Sequence, residues 1–394
     1  MSDVATSDPI KPVFVDYQAT TPCLPEVVEA MLPFFTERFH NPQSDHPSGE
    51  EAMDAVEEAR RDVAALIGAA SPREIIFTSG ATESNNWALR GIAGSPRRRG
   101  RHFVTSQIEH FSVTQPMKSL EQQGFEVTYV PVDADGVVDP ASVAGALRDD
   151  TALVSMIHAS NEIGVIEPLA EVGRICRDAG APFHVDASNT VGTIPFDVRT
   201  INADLVTVSP HLFYGPKGVG ALYCRRGVRV APLLEGGVQE DGRRAGTENV
   251  PAIVGFGRAC AIAAREMEAR MGRLVPLRDA LLDGVRDLEG VRVTGHLTQR
   301  LPNHVSCVVD HVESESLLLA LAMGPAIFAA SGTACSGREK KQSPVLEAIG
   351  IGAGLDSGSL VFGLGIDTTA EDVARILREL PKAIAQLRAL SPLA

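Results

Sequence analysis

Apolar residues fall along the first two-thirds of this chain in two alternating rhythms. Seven short runs are rich in Val, Ile, Leu and Phe: EIIFTS (74–79), HFVTS (102–106), EVTYVPV (126–132), ALVSMIH (152–158), PFHVD (182–186), DLVTVS (204–209) and VGALYC (219–224). Several are apolar at nearly every position, as strands covered on both sheet faces require, so they are read as strands. Between them, stretches with helical spacing run over Glu83–Ile92, Ser112–Gln123 and Leu169–Ala179. Strand–helix alternation of this kind predicts an α/β fold with a mostly parallel seven-stranded sheet and right-handed crossovers. The link between PFHVD and DLVTVS is too short and too broken by Pro and Gly for a long helix, which leaves the strand order open there.

The rhythm changes near residue 260. A helical stretch, roughly Val254–Gly284 with one or two breaks, is followed by VRVTG, by HVSCVVD and by a helix over Ser314–Met323. A last helix, Ala370–Leu390, has Thr368 and Thr369 as candidate caps. This pattern predicts a smaller α+β domain of residues 1–15 and 261–394 beside a large domain of residues 16–260. The total of 394 residues is compatible with two or three domains.

Charge and cysteine content narrow the function classes. Lys plus Arg number 36 against 50 Asp plus Glu, a net charge of −14 that argues against a nucleic-acid-binding surface. The run PRRRGR (96–101) reads as a solvated loop, with phosphate binding the lesser alternative. The six Cys, at 23, 176, 224, 260, 307 and 335, form no C-x-x-C pair, so a zinc ribbon and a disulfide framework are both disfavoured. Free thiols fit a reducing cytoplasm. No run approaches the length of a membrane span, and the polar start MSDVATSDPIKP lacks the apolar core of a signal peptide. The Gly-rich stretch Gly350–Gly354 does not follow a strand or precede an acidic ribose ligand, so it is no dinucleotide fingerprint.

In open parallel sheets ligands bind beyond the carboxyl ends of the strands. Those ends carry Ser79-Gly80-Ala81-Thr82-Glu83, Gln107-Ile108-Glu109-His110, Ser160-Asn161-Glu162, Asp186-Ala187-Ser188-Asn189 and Ser209-Pro210-His211. Each alone has an ordinary structural reading as a turn or cap. Together they place polar groups on one rim, and the small-residue turn before Glu83 suits a phosphate at a helix N-terminus.

Eight segments, DYQATTP (16–22), SGATESNN (79–86), IEH (108–110), NEIG (161–164), HVDA (184–187), YGPKGVGALY (214–223), RRAGTEN (243–249) and SGTACS (331–336), resemble the cysteine desulfurases. Those are pyridoxal-phosphate enzymes of the class V aminotransferase, fold-type I architecture, and the resemblance runs in order from about residue 13 to 375. It implies that Ala81, Thr82, Ser209 and His211 hold the cofactor phosphate, with Thr247 supplied by the other subunit of a homodimer. His110 would stack on the pyridine ring, Asp186 would face its nitrogen, and Asn161 and Asn189 would touch the ring oxygen. Cys335 would take sulfur from L-cysteine as a persulfide, its thiolate being the nucleophile. The long stretch after Cys335 resembles the branch that delivers sulfur to an iron–sulfur scaffold protein.

Three positions depart from the family's pattern. The Schiff-base lysine follows the His of the Ser-x-His motif, and here that position is Leu212, which has no amine. The Arg that grips the substrate carboxylate is Val361, and an expected Gln is Asn189, one methylene shorter. Lys217 belongs to the neighbouring GPKG turn, which the family carries in addition. Three readings follow. One is a sulfur-transfer protein of iron–sulfur assembly that lacks covalent cofactor and uses Cys335 as persulfide carrier or as ligand to a cluster shared with a partner. The second is an active desulfurase with unanchored cofactor or a partner's lysine. The third is a non-catalytic structural or regulatory partner.

Overall fold

The computed structural model describes residues 11–332, 343–352 and 358–390. After a two-residue strand, β1 (Val13–Phe14), the seven apolar runs appear as β2 (Ile75–Thr78), β3 (His102–Ser106), β4 (Glu126–Val130), β5 (Thr151–Ile157), β6 (Phe183–Asp186), β7 (Leu205–Val208) and β8 (Gly220–Cys224). They form one sheet in the order β2-β8-β7-β6-β5-β3-β4. All pairs are parallel except those made by β8, which runs against both of its neighbours. The open question of order is answered by β6 and β7 lying side by side in parallel.

Consecutive apolar residues recur because several of these strands feed two cores. Ile75 and Phe77 of β2 join one cluster, while Ile76 between them joins the other. In the same way Val154 and Met156 of β5 face the first cluster and Leu153 the second. Successive side chains point to opposite faces, so strands covered on both sides carry apolar residues on each, β6 excepted, where buried polar His184 and Asp186 alternate with Phe183 and Val185.

The helices before the sheet are α1 (Pro25–Met31), α2 (Pro33–Thr36) and α3 (Pro47–Leu66). The crossovers carry α4 (Ala81–Ala93), α5 (Phe111–Gln122), α6 (Pro140–Ala146), α7 (Leu169–Ala179) and the short α8 (Val198–Ile201). Trp87 and Leu89 of α4 and Val113, Met117 and Leu120 of α5 fill one face. Against the other lie Val56, Ala59 and Val63 of α3 with Ile253, Phe256 and Cys260 of α9 (Val250–Arg286). The expected breaks in this last helix are absent: it is continuous over 37 residues despite Pro276. Packing overrides local propensity here. Its first half lies in the sheet core, while Leu274, Leu281, Leu282 and Val285 enter a separate core.

That separate core also holds β9 (Val291–Val293), β10 (His304–Val309), α10 (Ser314–Met323), β11 (Ile327–Phe328), β12 (Leu360–Gly363) and α12 (Ala370–Leu390), with α11 (Pro344–Ala348) beside it. The order is β12-β10-β9, and β1 pairs in parallel with β11. Thr369 is a cap of α12: its hydroxyl accepts from Asp372 N at 3.2 Å, and Asp372 Oδ2 accepts from Thr369 N at 2.9 Å. Among the described residues no helix is long and apolar enough to cross a membrane.

Two buried carboxyls set a pH dependence. Glu109 Oε1 accepts from Ser106 Oγ at 2.6 Å and Ile157 N at 2.9 Å, and Glu167 Oε2 accepts from Val138 N at 2.8 Å. Burial pushes both up to about 8. Unfolded Glu ionises near ~4.3, so between that pH and about 8 the folded state binds more protons and stability falls as pH rises. Buried His158, held down at about 4, acts oppositely, but only up to the unfolded His range near ~6.5. Urea midpoints are therefore expected to fall from pH 7 to 8. Replacing Glu109 and Glu167 by Gln should flatten that slope; a midpoint that rises over this interval, or a slope unchanged in both variants, contradicts the assignment.

Candidate functional site

A cavity of about 540 Å³ opens at the carboxyl ends of the parallel strands. Ala81, Thr82, His110, Asn161, Asp186, Asn189, Ser209 and His211 all line it, so eight positions far apart in the sequence meet in one place. Leu212 and Val361 line the same cavity. Thr247 does not; it is exposed on the segment before α9, where the expectation places it for another subunit. Cys335 lies outside the described residues.

Asp186 closes β6. Its Oδ2 accepts from Asn85 Nδ2 at 2.7 Å, and its Oδ1 accepts from Ser188 N at 3.0 Å and Ser188 Oγ at 2.5 Å. Asn85 also donates to Ser112 Oγ at 2.8 Å, which contacts His110 Nδ1 at 2.8 Å. Ser112 N donates to that same Nδ1 at 3.1 Å, making His110 the cap of α5. A neutral His110 therefore carries its proton on Nε2. Ser188 stands on the rim of strand ends that the sequence marked, but composition and spacing did not single out Asn85 or Ser112. Asn85 lies within SGATESNN and Ser112 two residues beyond IEH, so their only signal was proximity to a motif.

The phosphate end of the cavity is built from backbone. Gly80, with φ of 150°, is the residue before α4, and no side chain caps that helix. Its first N–H groups are thereby left for a ligand, with the helix dipole favouring an anion. The first residue of β8 packs on this turn: a Cβ on Gly220 would lie 2.7 Å from Gly80 Cα, so only glycine fits. Ser209 Oγ, at the end of β7, is buried with no hydrogen-bond partner among the described residues. An orphaned hydroxyl beside an uncapped helix start fits the phosphate of pyridoxal phosphate. Glu83 stands at the same turn, where burial pushes it up, but bonds from Arg244 at 2.9 Å and Ser79 N at 2.7 Å more than offset this and hold it below its usual range.

Leu212 lines the far side of the cavity, and Lys217, five residues on, lines it as well. Leu212 ends a single 3-10 turn, Pro210–Leu212, stitched to DYQATTP by Thr21, whose N and Oγ1 both donate to His211 O at 2.9 Å. His211 Nδ1 lies 3.2 Å from Thr20 Oγ1, and burial with the nearby Lys217 charge lowers its pKa. Exposed Lys217 donates to the same Thr20 hydroxyl at 3.4 Å. Val361, buried on β12, exchanges both backbone hydrogen bonds with Ala330, at 2.8 and 3.0 Å, just before Ser331 and Gly332 reach the cavity. Glu162 lines the cavity too; its Oε2 accepts from Ser343 Oγ at 2.6 Å, and burial raises it to about 7.

The other cysteines are away from this chemistry. Cys176, Cys224, Cys260 and Cys307 are buried and Cys23 is half-buried. Burial pushes Cys176 and Cys307 up to about 12, so these thiols stay protonated and inert. Among the described residues no three His, Cys, Asp or Glu side chains cluster as metal ligands, and the expected cluster ligand Cys335 falls outside them.

Comparison with known proteins agrees with this geometry. The Aminotransferase class-V pattern matches residues 13–376. Cysteine desulfurase IscS of Methanosarcina thermophila is 47% identical over 383 residues, spanning 97% of this chain and 94% of the relative. Cysteine desulfurase IscS of Dictyoglomus turgidum is also 47% identical, over 96% of both chains. A solved NifS-like protein superposes with a TM-score of 0.89 at 38% identity, covering 95% of this chain and all of that one.

Because Ser209 Oγ has no partner, its removal separates ligand binding from folding. Ser209→Ala should leave the thermal midpoint of the free protein unchanged or slightly raised, and weaken pyridoxal-phosphate binding about tenfold, the loss of one hydrogen bond to a charged acceptor. Titration and thermal melts check this. A lowered midpoint with unchanged affinity would place the hydroxyl in the fold and not in the phosphate site.

Proposed function

The chain belongs to the aminotransferase class-V family, among the cysteine desulfurases, and from that premise we propose a sulfur-transfer protein of iron–sulfur cluster assembly that binds pyridoxal phosphate without covalent attachment. The observation that carries this reading is that Leu212 and Val361 line the same cavity as the retained cofactor-site residues. When bound, pyridoxal phosphate supplies an electron sink. The α4 start, Thr82, Ser209 and His211 would hold its phosphate, Asp186 its ring nitrogen, and His110 its ring face. Leu212 offers no nitrogen to bond the cofactor or move a proton, and Val361 offers no cation for a substrate carboxylate.

In this reading extraction of sulfur from L-cysteine and its delivery are separate functions, and Cys335 serves delivery as persulfide carrier or cluster ligand. Thr247 reaches the cavity of a second copy in a homodimer, and the acceptor is a scaffold protein with exposed thiols. The identity to cysteine desulfurases over almost the whole chain favours a second reading, an active desulfurase whose amine comes from a partner subunit.

Borohydride reduction of the cofactor-loaded protein, followed by peptide mapping, separates the two. No pyridoxyl-lysine is expected, and alanine release from L-cysteine should stay at background. The double variant Leu212→Lys, Val361→Arg is expected to gain both the adduct and measurable alanine release. An adduct on any lysine of the unaltered protein, or brisk turnover, overturns the reading.

Cys335→Ser tests delivery. Persulfide loaded from a sulfur donor should no longer pass to the scaffold, and cluster assembly should fall to the donor-only rate. Unchanged transfer and complex stability would leave Cys335 without a role and favour a structural partner.

A further inference from the structure

A guanidinium-lined depression opens on the opposite edge of the main sheet, where β5, β6 and β7 begin. Its volume is about 550 Å³. Arg97, Arg98 and Arg99 reach it from the loop between α4 and β3, and Arg177 from the last turn of α7. Arg225, Arg226 and Arg229 follow β8, whose reversed direction delivers its end to this edge. Ile92, Ala152, Pro182 and Val228 give it an apolar floor.

Seven guanidinium groups here face one carboxylate, Asp204. That carboxylate is already engaged: Oδ2 accepts from Phe183 N at 2.9 Å, and Oδ1 lies 3.3 Å from Arg225 Nη1. Part of the cluster has a structural explanation. Arg98 donates to Ala93 O at 3.2 Å and Arg99 to Ala179 O at 2.6 Å, the terminal carbonyls of α4 and α7, where cations are favoured. Arg97, Arg226 and Arg229 are exposed, and no side-chain bond or ion pair of theirs occurs among the described residues. On a chain of net charge −14, this convergence of cations makes a locally positive field that attracts an anion.

We propose that this depression binds a compact polyphosphate anion, with the planar ring of a nucleotide lying on the apolar floor. Arg forks match phosphate oxygens two at a time, and a charge of three or four minus is what so many unpaired guanidinium groups accommodate. The recess has the size of a small-molecule site. The site is independent of the cofactor cavity, which lies across the sheet at the other strand ends.

Isothermal titration of the full chain with ATP, inorganic tripolyphosphate, adenosine, a poly-glutamate peptide and duplex DNA tests this. ATP and tripolyphosphate should bind saturably, one per chain, and more weakly as salt rises; adenosine alone should not bind. Tighter binding of ATP than of tripolyphosphate identifies a nucleotide, and equal binding identifies the phosphates alone as the ligand chemistry. Arg97 and Arg229 make no side-chain hydrogen bond or ion pair among the described residues, so Arg97→Gln with Arg229→Gln should leave the ligand-free thermal midpoint in place while weakening ATP at least about tenfold. Saturating pyridoxal phosphate should leave ATP affinity unchanged. Absence of saturable binding, equal affinity in the double variant, competition by pyridoxal phosphate, or tighter binding of the acidic peptide or DNA than of ATP would each overturn the proposal.

Discussion

The buried carboxylate of Asp186 and the amide of Asn85 join three elements at one point. Asn85 belongs to α4, Asp186 ends β6, and Ser112 belongs to α5, yet one Nδ2 group donates to both oxygens that matter, at 2.7 and 2.8 Å. Through Ser112 the same contact sets His110 at the cap of α5. The starts of two helices are thus registered on the end of one strand. A buried polar contact of this kind is costly to leave half-made, so the elements it joins are held in a single arrangement.

Sheet polarity then decides which chemistry faces which edge. Parallel strands place their carboxyl ends, and the helix starts that follow, on one side, where uncapped N–H groups favour an anion. The opposite edge collects helix ends and their cations. β8 is the exception that serves both: its first residue, Gly220, presses on Gly80 at the anion end, and the segment after its last, Cys224, brings Arg225 and Arg226 to the other. A side chain at position 220 would push apart the turn that the phosphate site needs.

Within that frame the cavity has two chemically different halves. Backbone amides, Ser209 and the Asp186 network make one half polar and ready for a charged ring compound. Leu212 and Val361 add apolar surface to the other half, which Lys217 also lines. Both positions are tied into the scaffold: Val361 pairs with Ala330, and the 3-10 turn holding Leu212 is tied to Thr21.

The sequence by itself determined the seven strands, their parallel character and the rim of polar strand ends, because burial on both sheet faces demands unbroken apolar runs and the loops after them must be polar. Other features depended on the three-dimensional arrangement. The adjacency of β6 and β7 and the unbroken run of α9 through Pro276 follow from packing between segments distant in the chain. Asn85 and Ser112 became site residues only when the strands were placed, since an Asn and a Ser have ordinary local roles in most helices and turns. The net charge of −14 concealed the arginine recess for the same reason. A sum over the chain carries no position, whereas the field at a surface depends on which charges the fold brings within a screening length of one another.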